Sequence, residues 1–234
     1  MTISANQPYF LPYLPWWQLI DCADLFLVGD DYAFMKMSWI PRNRILVNGR
    51  VQYFRIEVSG QSCHRLIKDT QLVPIDAATK LRTLEMAYHK APCFAEAYPV
   101  AERIMQYKSL NLKDFLVNSI RQVCDYLYIS TPIAFTSDVP GNSALRFDER
   151  IYHFCRHFGA DRYVNAIGGR ELYSPGKFKD RGIRLEFLRS DIPPYRQSGD
   201  TAIPDLSVLD AMMFVPRERL RDMLDQRSFI QERG

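Results

Sequence analysis

The stretch Asn6-Gln7-Pro8-Tyr9-Phe10-Leu11-Pro12-Tyr13-Leu14-Pro15-Trp16-Trp17-Gln18-Leu19-Ile20-Asp21-Cys22-Ala23-Asp24 sets three prolines and five aromatics between two apolar runs. Before it, the segment from Met1 to Ala5 is short, apolar and partly β-branched. After it, Leu25-Phe26-Leu27-Val28 is a buried-strand run that ends in Gly29-Asp30-Asp31. The order is strand, loop, short helix, strand. Prolines 8, 12 and 15 bias the residues before them away from helix, so the loop is held in one shape and the helix starts near Pro15 or Trp16. Two parallel strands joined in this way form one βα unit, and open α/β sheets place ligands at the carboxyl ends of such strands. The loop therefore reads as a site rather than as plain core.

Working outward, Arg44 to Val47, an Asn48-Gly49 turn and Arg50 to Val58 predict a β-hairpin, with Ile45, Val47, Val51, Tyr53 and Ile56 on its apolar faces. From Ile75 the periodicity turns helical, with Ala77, Leu81, Leu84 and Tyr88 on one stripe and Pro92 interrupting it. Further helices are predicted from about Phe94 to Lys108 and from Leu112 to Tyr128. Strands follow at 131–137, 163–165 and 184–188, with a helix from about Arg146 to Phe158 that stops at Gly159 and C-terminal helices near 208–213 and 216–226. The fold class is α/β with a mainly parallel sheet, a hairpin excursion and a helical insert at about 75–128, expected as one domain over residues 1–234.

Composition narrows the function. The chain has 234 residues, is 47% hydrophobic and 24% charged, and carries a formal net charge of only +3, which excludes the broad basic field of a nucleic-acid binder. No apolar run reaches the roughly eighteen residues of a membrane span, and no signal peptide is recognisable, so a cytoplasmic protein is expected. Cys22, Cys63, Cys93, Cys124 and Cys155 are odd in number and spaced as reduced core thiols are. Cys93, in His89-Lys90-Ala91-Pro92-Cys93, also reads first as a packing thiol, the lesser alternative being a nucleophile whose pKa a neighbouring cation lowers. His153 and His157 share a helix face but have no acidic or cysteine partner at recognised spacing, so no metal site is expected. No cofactor is indicated, and oligomeric state is left open.

The chain resembles the WbqC-like family, whose members typically begin Gln-Pro-Tyr-Phe-x-Pro-Tyr after a first strand, here Gln7 to Tyr13. The resemblance continues in order through Asp30 to Lys36, Trp39 to Leu46 with Asn48-Gly49, Tyr88 to Phe94, Gly159 to Tyr163, Gly168-Gly169-Arg170, Phe178 to Phe187, Tyr195 to Gln197 and Leu206 to Asp210. Two departures are Leu14-Pro15-Trp16, where many relatives have a small residue, and Pro41, where Asn is usual. The resemblance implies a place in assembling O-antigen or other surface polysaccharide. The first βα unit also resembles nucleotidyltransferase-like (HUP-type) and pantothenate-synthetase-like folds, and keeps their Ala23-Asp24 helix ending. Their His-x-Gly-His signature is missing, because Tyr13 to Trp16 stand in its place.

Candidate residues fall into three groups. Asp30 and Asp31, at the end of a sheet strand, are acid/base candidates, and their competing reading is a turn. Lys36, Arg42, Arg44 and Arg50, in a segment that also carries Asn43, form the densest anion-binding candidate, with an exposed hairpin rim as the alternative. Gly168, Gly169 and Arg170 would let backbone approach an anion after a late strand, unless they are only a tight turn. His89 and Lys90 in the matched Tyr88 segment, and Gln7, Tyr9 and Tyr13 in the proline loop, complete the list. Two functions follow: transfer of an acyl, aminoacyl or related group to an activated sugar, or non-catalytic binding of a nucleotide or nucleotide sugar. In either case the expected partner is a small, phosphate-bearing or carrier-bound molecule rather than nucleic acid.

Overall fold

The computed structural model describes residues 1–60, 64–199 and 201–231; Cys63 lies outside the described residues. Strand β1 (Thr2–Asn6) leads through the proline loop into α1 (Leu14–Asp21) and β2 (Leu25–Val28). A hairpin of β3 (Arg42–Val47) and β4 (Arg50–Arg55) follows, then the two-residue strands β5 (Val58–Ser59) and β6 (Gln71–Leu72). Helices α2 (Ala77–Tyr88), α3 (Phe94–Met105) and α4 (Leu112–Tyr126) make up the helical block. The chain then runs β7 (Ile133–Phe135), α5 (Phe147–Phe158), β8 (Arg162–Ala166), α6 (Pro175–Lys179) and β9 (Arg184–Ser190). It closes with α7 (Val208–Phe214), α8 (Arg217–Leu224) and β10 (Arg227–Ile230).

The central sheet has the order β10-β9-β8-β1-β2-β7, parallel throughout except for the antiparallel edge strand β10. If β1, β2, β7, β8, β9 and β10 are counted as first to sixth, the order is 6-5-4-1-2-3, that of a doubly wound sheet. The chain builds outward from β1 to β7 on one side, then returns to β8 on the other side of β1. That reversal opens a crevice at the carboxyl ends of β1 and β8.

Alternation along the strands divides the core between the two faces of the sheet. Phe26, Val28, Val164 and Leu188 pack with α1, the helical block, the hairpin and α7–α8. Ile3, Ala5, Leu27, Tyr163 and Phe187 pack with α5 and α6 through Phe154, Cys155 and Phe178. The predicted stripe of α2 is buried at Leu81, Leu84 and Tyr88, and Gly159 ends α5 at φ +67, where a side chain would be strained.

The hairpin needs one correction. A two-residue turn pairs Val47 with Arg50, hence Ile45 with Gln52 and Asn43 with Phe54. The residues that join the main core are therefore odd-numbered in β3 and even-numbered after the turn, namely Ile45, Val47, Phe54 and Ile56; on the other side Leu46 is buried outside that core, while Val51 and Tyr53 face outward.

Candidate functional site

A cleft of about 490 Å³ lies at the crevice between β1 and β8, within the range of small-molecule sites. Its walls come from Asn6, Gln7, Tyr9 and Tyr13 of the proline loop, Trp16 of α1, and Tyr32 and Trp39 beyond β2. Tyr163, Asn165, Gly168, Gly169 and Tyr173 from β8 and the turn after it, with Ser190 of β9, close the other side.

The loop holds its shape because its backbone is bonded away from the cleft. Trp17 Nε1 donates to the Pro12 carbonyl at 3.0 Å, and Phe10 N–H donates to Ile40 O at 3.0 Å. From the far end of the chain, Ser207 Oγ donates to Leu11 O at 2.9 Å and Val208 N–H to Pro12 O at 3.0 Å. Leu11 accordingly sits at φ +47, a conformation that a leucine keeps only under such external restraint.

Two asparagines flank the crevice in the same way. Asn6 Oδ1 accepts the N–H of Gln7 at 2.8 Å, and Asn165 Oδ1 accepts the N–H of Ala166 at 2.8 Å. Each side-chain carbonyl oxygen is thus engaged by its own strand end, and the Asn165 amide also bonds the Tyr173 hydroxyl. Gly169 is required here because a Cβ on it would stand 2.6 Å from Asn165 Nδ2. Gly29 plays the same part under Tyr32, whose ring would lie 2.6 Å from an added Cβ. The guanidinium of Arg150 covers that ring at 4.5 Å from its centroid.

Among the described residues no aspartate, glutamate, lysine, arginine or histidine lines the cleft; its polar groups are amides, hydroxyls and two indoles. Burial raises the Tyr9 and Tyr13 hydroxyls above the usual tyrosine range, pushes Tyr32 up to about 12 and takes Tyr163 well above 10. These phenols are neutral donors near pH 7. Trp16 Nε1 and Ser190 Oγ are buried with no hydrogen-bond partner among the described residues. The arrangement suits a neutral, hydroxyl-bearing or flat ring: aromatic faces to stack on, and donors round the edge.

Of the residues singled out in the sequence, Gln7, Tyr9, Tyr13, Gly168 and Gly169 meet in this cleft, and exposed Arg170 follows in the same turn. The others lie elsewhere. Asp30 is fully buried; Ser137 donates to it from N–H at 3.0 Å and from Oγ at 2.8 Å. Asp31 pairs with Arg150 at 2.7 Å and accepts from Thr136 Oγ1 at 2.6 Å and Asn142 Nδ2 at 2.5 Å. Both carboxylates tie the end of β2 to the turn after β7, so their geometry is that of anchors. His89 caps α2 with Nδ1 3.1 Å from the Glu85 carbonyl, and it and Lys90 are exposed outside the cleft lining.

Asn43 is buried, with Nδ2 donating to Phe10 O, and so braces the proline loop. Arg42 donates to Met37 O at 2.5 Å, and Arg44 donates to the carbonyls of Pro204 and Asp205 at 3.0 Å, while Lys36 is exposed. At Cys93 burial together with Glu96 and Glu218 raises the thiol pKa, against the lesser, nucleophile alternative. Residues that sequence reasoning passed over are Asn6, Asn165, Tyr32, Tyr163 and Tyr173. The available signal was an asparagine at the carboxyl end of two strands, each preceding a proline- or glycine-bearing loop.

Another buried network lies behind the loop. The carboxylate of Asp210, at the start of α7, accepts from Tyr195 at 2.9 Å and Tyr88 at 3.2 Å. Desolvation raises it to about 6, against the partial relief that the two phenols supply. Its hydrogen bonds join α2, α7 and the 192–206 segment.

No helix among the described residues is long and apolar enough to cross a membrane. No solved structure matches the chain. An uncharacterized protein of Mycobacterium tuberculosis, Rv1507c, is 28% identical over 220 residues, covering 92% of this chain and 94% of its own. The model of the WbqC-like protein family matches residues 7–222, from the first glutamine of the proline loop to α8. This chain belongs to the WbqC-like protein family.

Proposed function

We propose that this protein binds a phosphate-activated sugar in the cleft between β1 and β8, and acts in assembling a surface polysaccharide such as an O-antigen. The reaction would transfer an acyl, aminoacyl or related group to that sugar. One observation carries the reading: a cleft of about 490 Å³ lined by aromatic rings, amides and hydroxyls with no charged side chain among the described residues. A sugar ring has apolar C–H faces and a hydroxyl edge, the complement of that lining. The sheet order supports the nucleotide portion, since doubly wound sheets hold nucleotides at this crevice. No cleft side chain titrates near neutrality, so acceleration would come from holding donor and acceptor together.

A second reading, binding without chemistry, is favoured by the placement of the acid/base candidates. Asp30 is buried in hydrogen bonds, and His89 is exposed outside the lining. Two measurements decide. Thermal unfolding against UDP-sugars, dTDP-sugars, ATP, CTP and coenzyme A comes first. A bound ligand at about a hundred times its Kd adds roughly 2.7 kcal/mol, a rise of about 5–10 °C for a chain of this size. The rise is expected with a nucleotide sugar and is expected to vanish in Asn165→Ala and Gly169→Ala. No rise with any compound would sink the reading. Mass spectrometry of a mixture of acyl or aminoacyl donor with the binding sugar then separates transfer, which yields a modified sugar, from binding alone.

A further inference from the structure

The outer face of the β3–β4 hairpin and the loop before it departs from the polar surface expected of a solvated hairpin. Met37 is 77% exposed, Tyr53 55%, Trp39 43% and Val51 42%. These side chains are gathered rather than scattered. The Trp39 and Tyr53 rings lie 6.3 Å apart, Arg42 sits over Tyr53 at 4.5 Å with its Nη2 bonded to Met37 O, and Arg44 lies 6.0 Å from Trp39. Val51, Tyr53 and Arg55 alternate onto one side of β4.

The charge on this face is equally distinctive. Lys36, Arg42 and Arg44 have no carboxylate partner among the described residues, nor does Arg50 at the hairpin tip, opposite core-facing Val47, whereas Arg150, Arg162, Arg221 and Arg227 are all paired with acids. Arg55 meets only the exposed Glu57. Uncompensated cations interleaved with Trp, Tyr and Met are the chemistry of a lipid interface: amphipathic rings at the headgroup level, cations against phosphate.

We infer that this hairpin face docks the protein reversibly on an anionic membrane surface. A second copy is a poor occupant, because a two-fold contact would set these cations against themselves. A net charge of +3 is too small for the counterion release that drives nucleic-acid binding. Trp39 belongs to this face and also lines the cleft, so docking brings the cleft opening to the lipid plane. The surface rests on its own side chains and stands whichever ligand the cleft takes.

The test uses the full chain with vesicles of phosphatidylcholine alone or mixed with phosphatidylglycerol, read by flotation and tryptophan emission. Trp16 and Trp17 are buried, so a blue shift reports Trp39. Binding to the anionic vesicles with a blue shift, weakened by salt, is expected. Met37→Glu with Val51→Glu is expected to lower partitioning at least about tenfold with an unchanged Tm, since neither side chain is in the core. Lys36→Glu should act in the same direction through charge alone. Absent binding, or equal binding to neutral vesicles, would overturn the inference. So would sedimentation showing a dimer that the Met37→Glu, Val51→Glu variant disperses, because a second copy would then cover the face.

Discussion

Asp210 shows how far a single residue can depart from its local pattern. Ser207-x-x-Asp210 reads as a helix start, and Ser207 does cap α7 through the Leu209 N–H, but the aspartate turns inward between two phenols. Nothing in the neighbouring sequence encodes this, because Tyr88 lies 122 positions away. The folded carboxyl holds its proton up to about 6, whereas an unperturbed one releases it near 3.8. The folded chain therefore binds more protons between these values, and the stability it gains from the neutral form is lost as pH rises through that window. Asp210→Asn keeps the neutral shape, so its stability relative to wild type should rise by about 2–3 kcal/mol between pH of about 4 and about 7. Denaturation at several pH values checks this; a constant difference would show that the carboxyl ionises freely in the fold. The cleft shows the same division. Gln7, Tyr9 and Tyr13 were legible as cleft candidates from the proline loop, while Asn165 and Tyr163 line the cleft only because β8 returns beside β1.

The elements with a repeating pattern were the legible ones. β2, the α2 stripe and the Gly159 stop follow from apolar spacing and one left-handed glycine. The antiparallel edge strand β10 left no such trace, since its four residues are half-buried or exposed and its hold on the sheet comes from β9 and from Arg227 bonding Asp21. In the hairpin the turn was readable but the buried face was not, because parity is fixed by where the two turn residues fall. Asn48 at φ +50 and Gly49 at φ +72 form the left-handed pair such turns need. Gly49→Val should cost about 1–2 kcal/mol through strain at that angle, lowering the midpoint by several degrees. Calorimetry tests it; an unchanged midpoint would mean that the hairpin tip does not hold the register.

At the scale of the whole molecule, the end of the chain is stitched onto its beginning. Gln18 donates to the carbonyls of Leu224 and Gln226 at 3.0 Å, and Asp21 is shared by Arg221 and Arg227. The Asp21 side chain is 8% exposed, so Asp21→Ala leaves Arg221 and Arg227 with only the exposed Asp225 and should cost about 2–3 kcal/mol. Urea denaturation should show one transition moved to lower concentration with unchanged slope; two separated transitions would show that the ends unfold independently. No local rule of sequence predicts such stitching, because its partners lie some 200 positions apart. The contacts of Ser207 and Val208 with Leu11 and Pro12 also bear on the order of synthesis. The proline loop leaves the ribosome 196 residues ahead of the serine that locks it. A chain not yet made as far as Ser207 therefore has no locked loop, and cutting before that residue would release the loop without touching a single residue that lines the cleft.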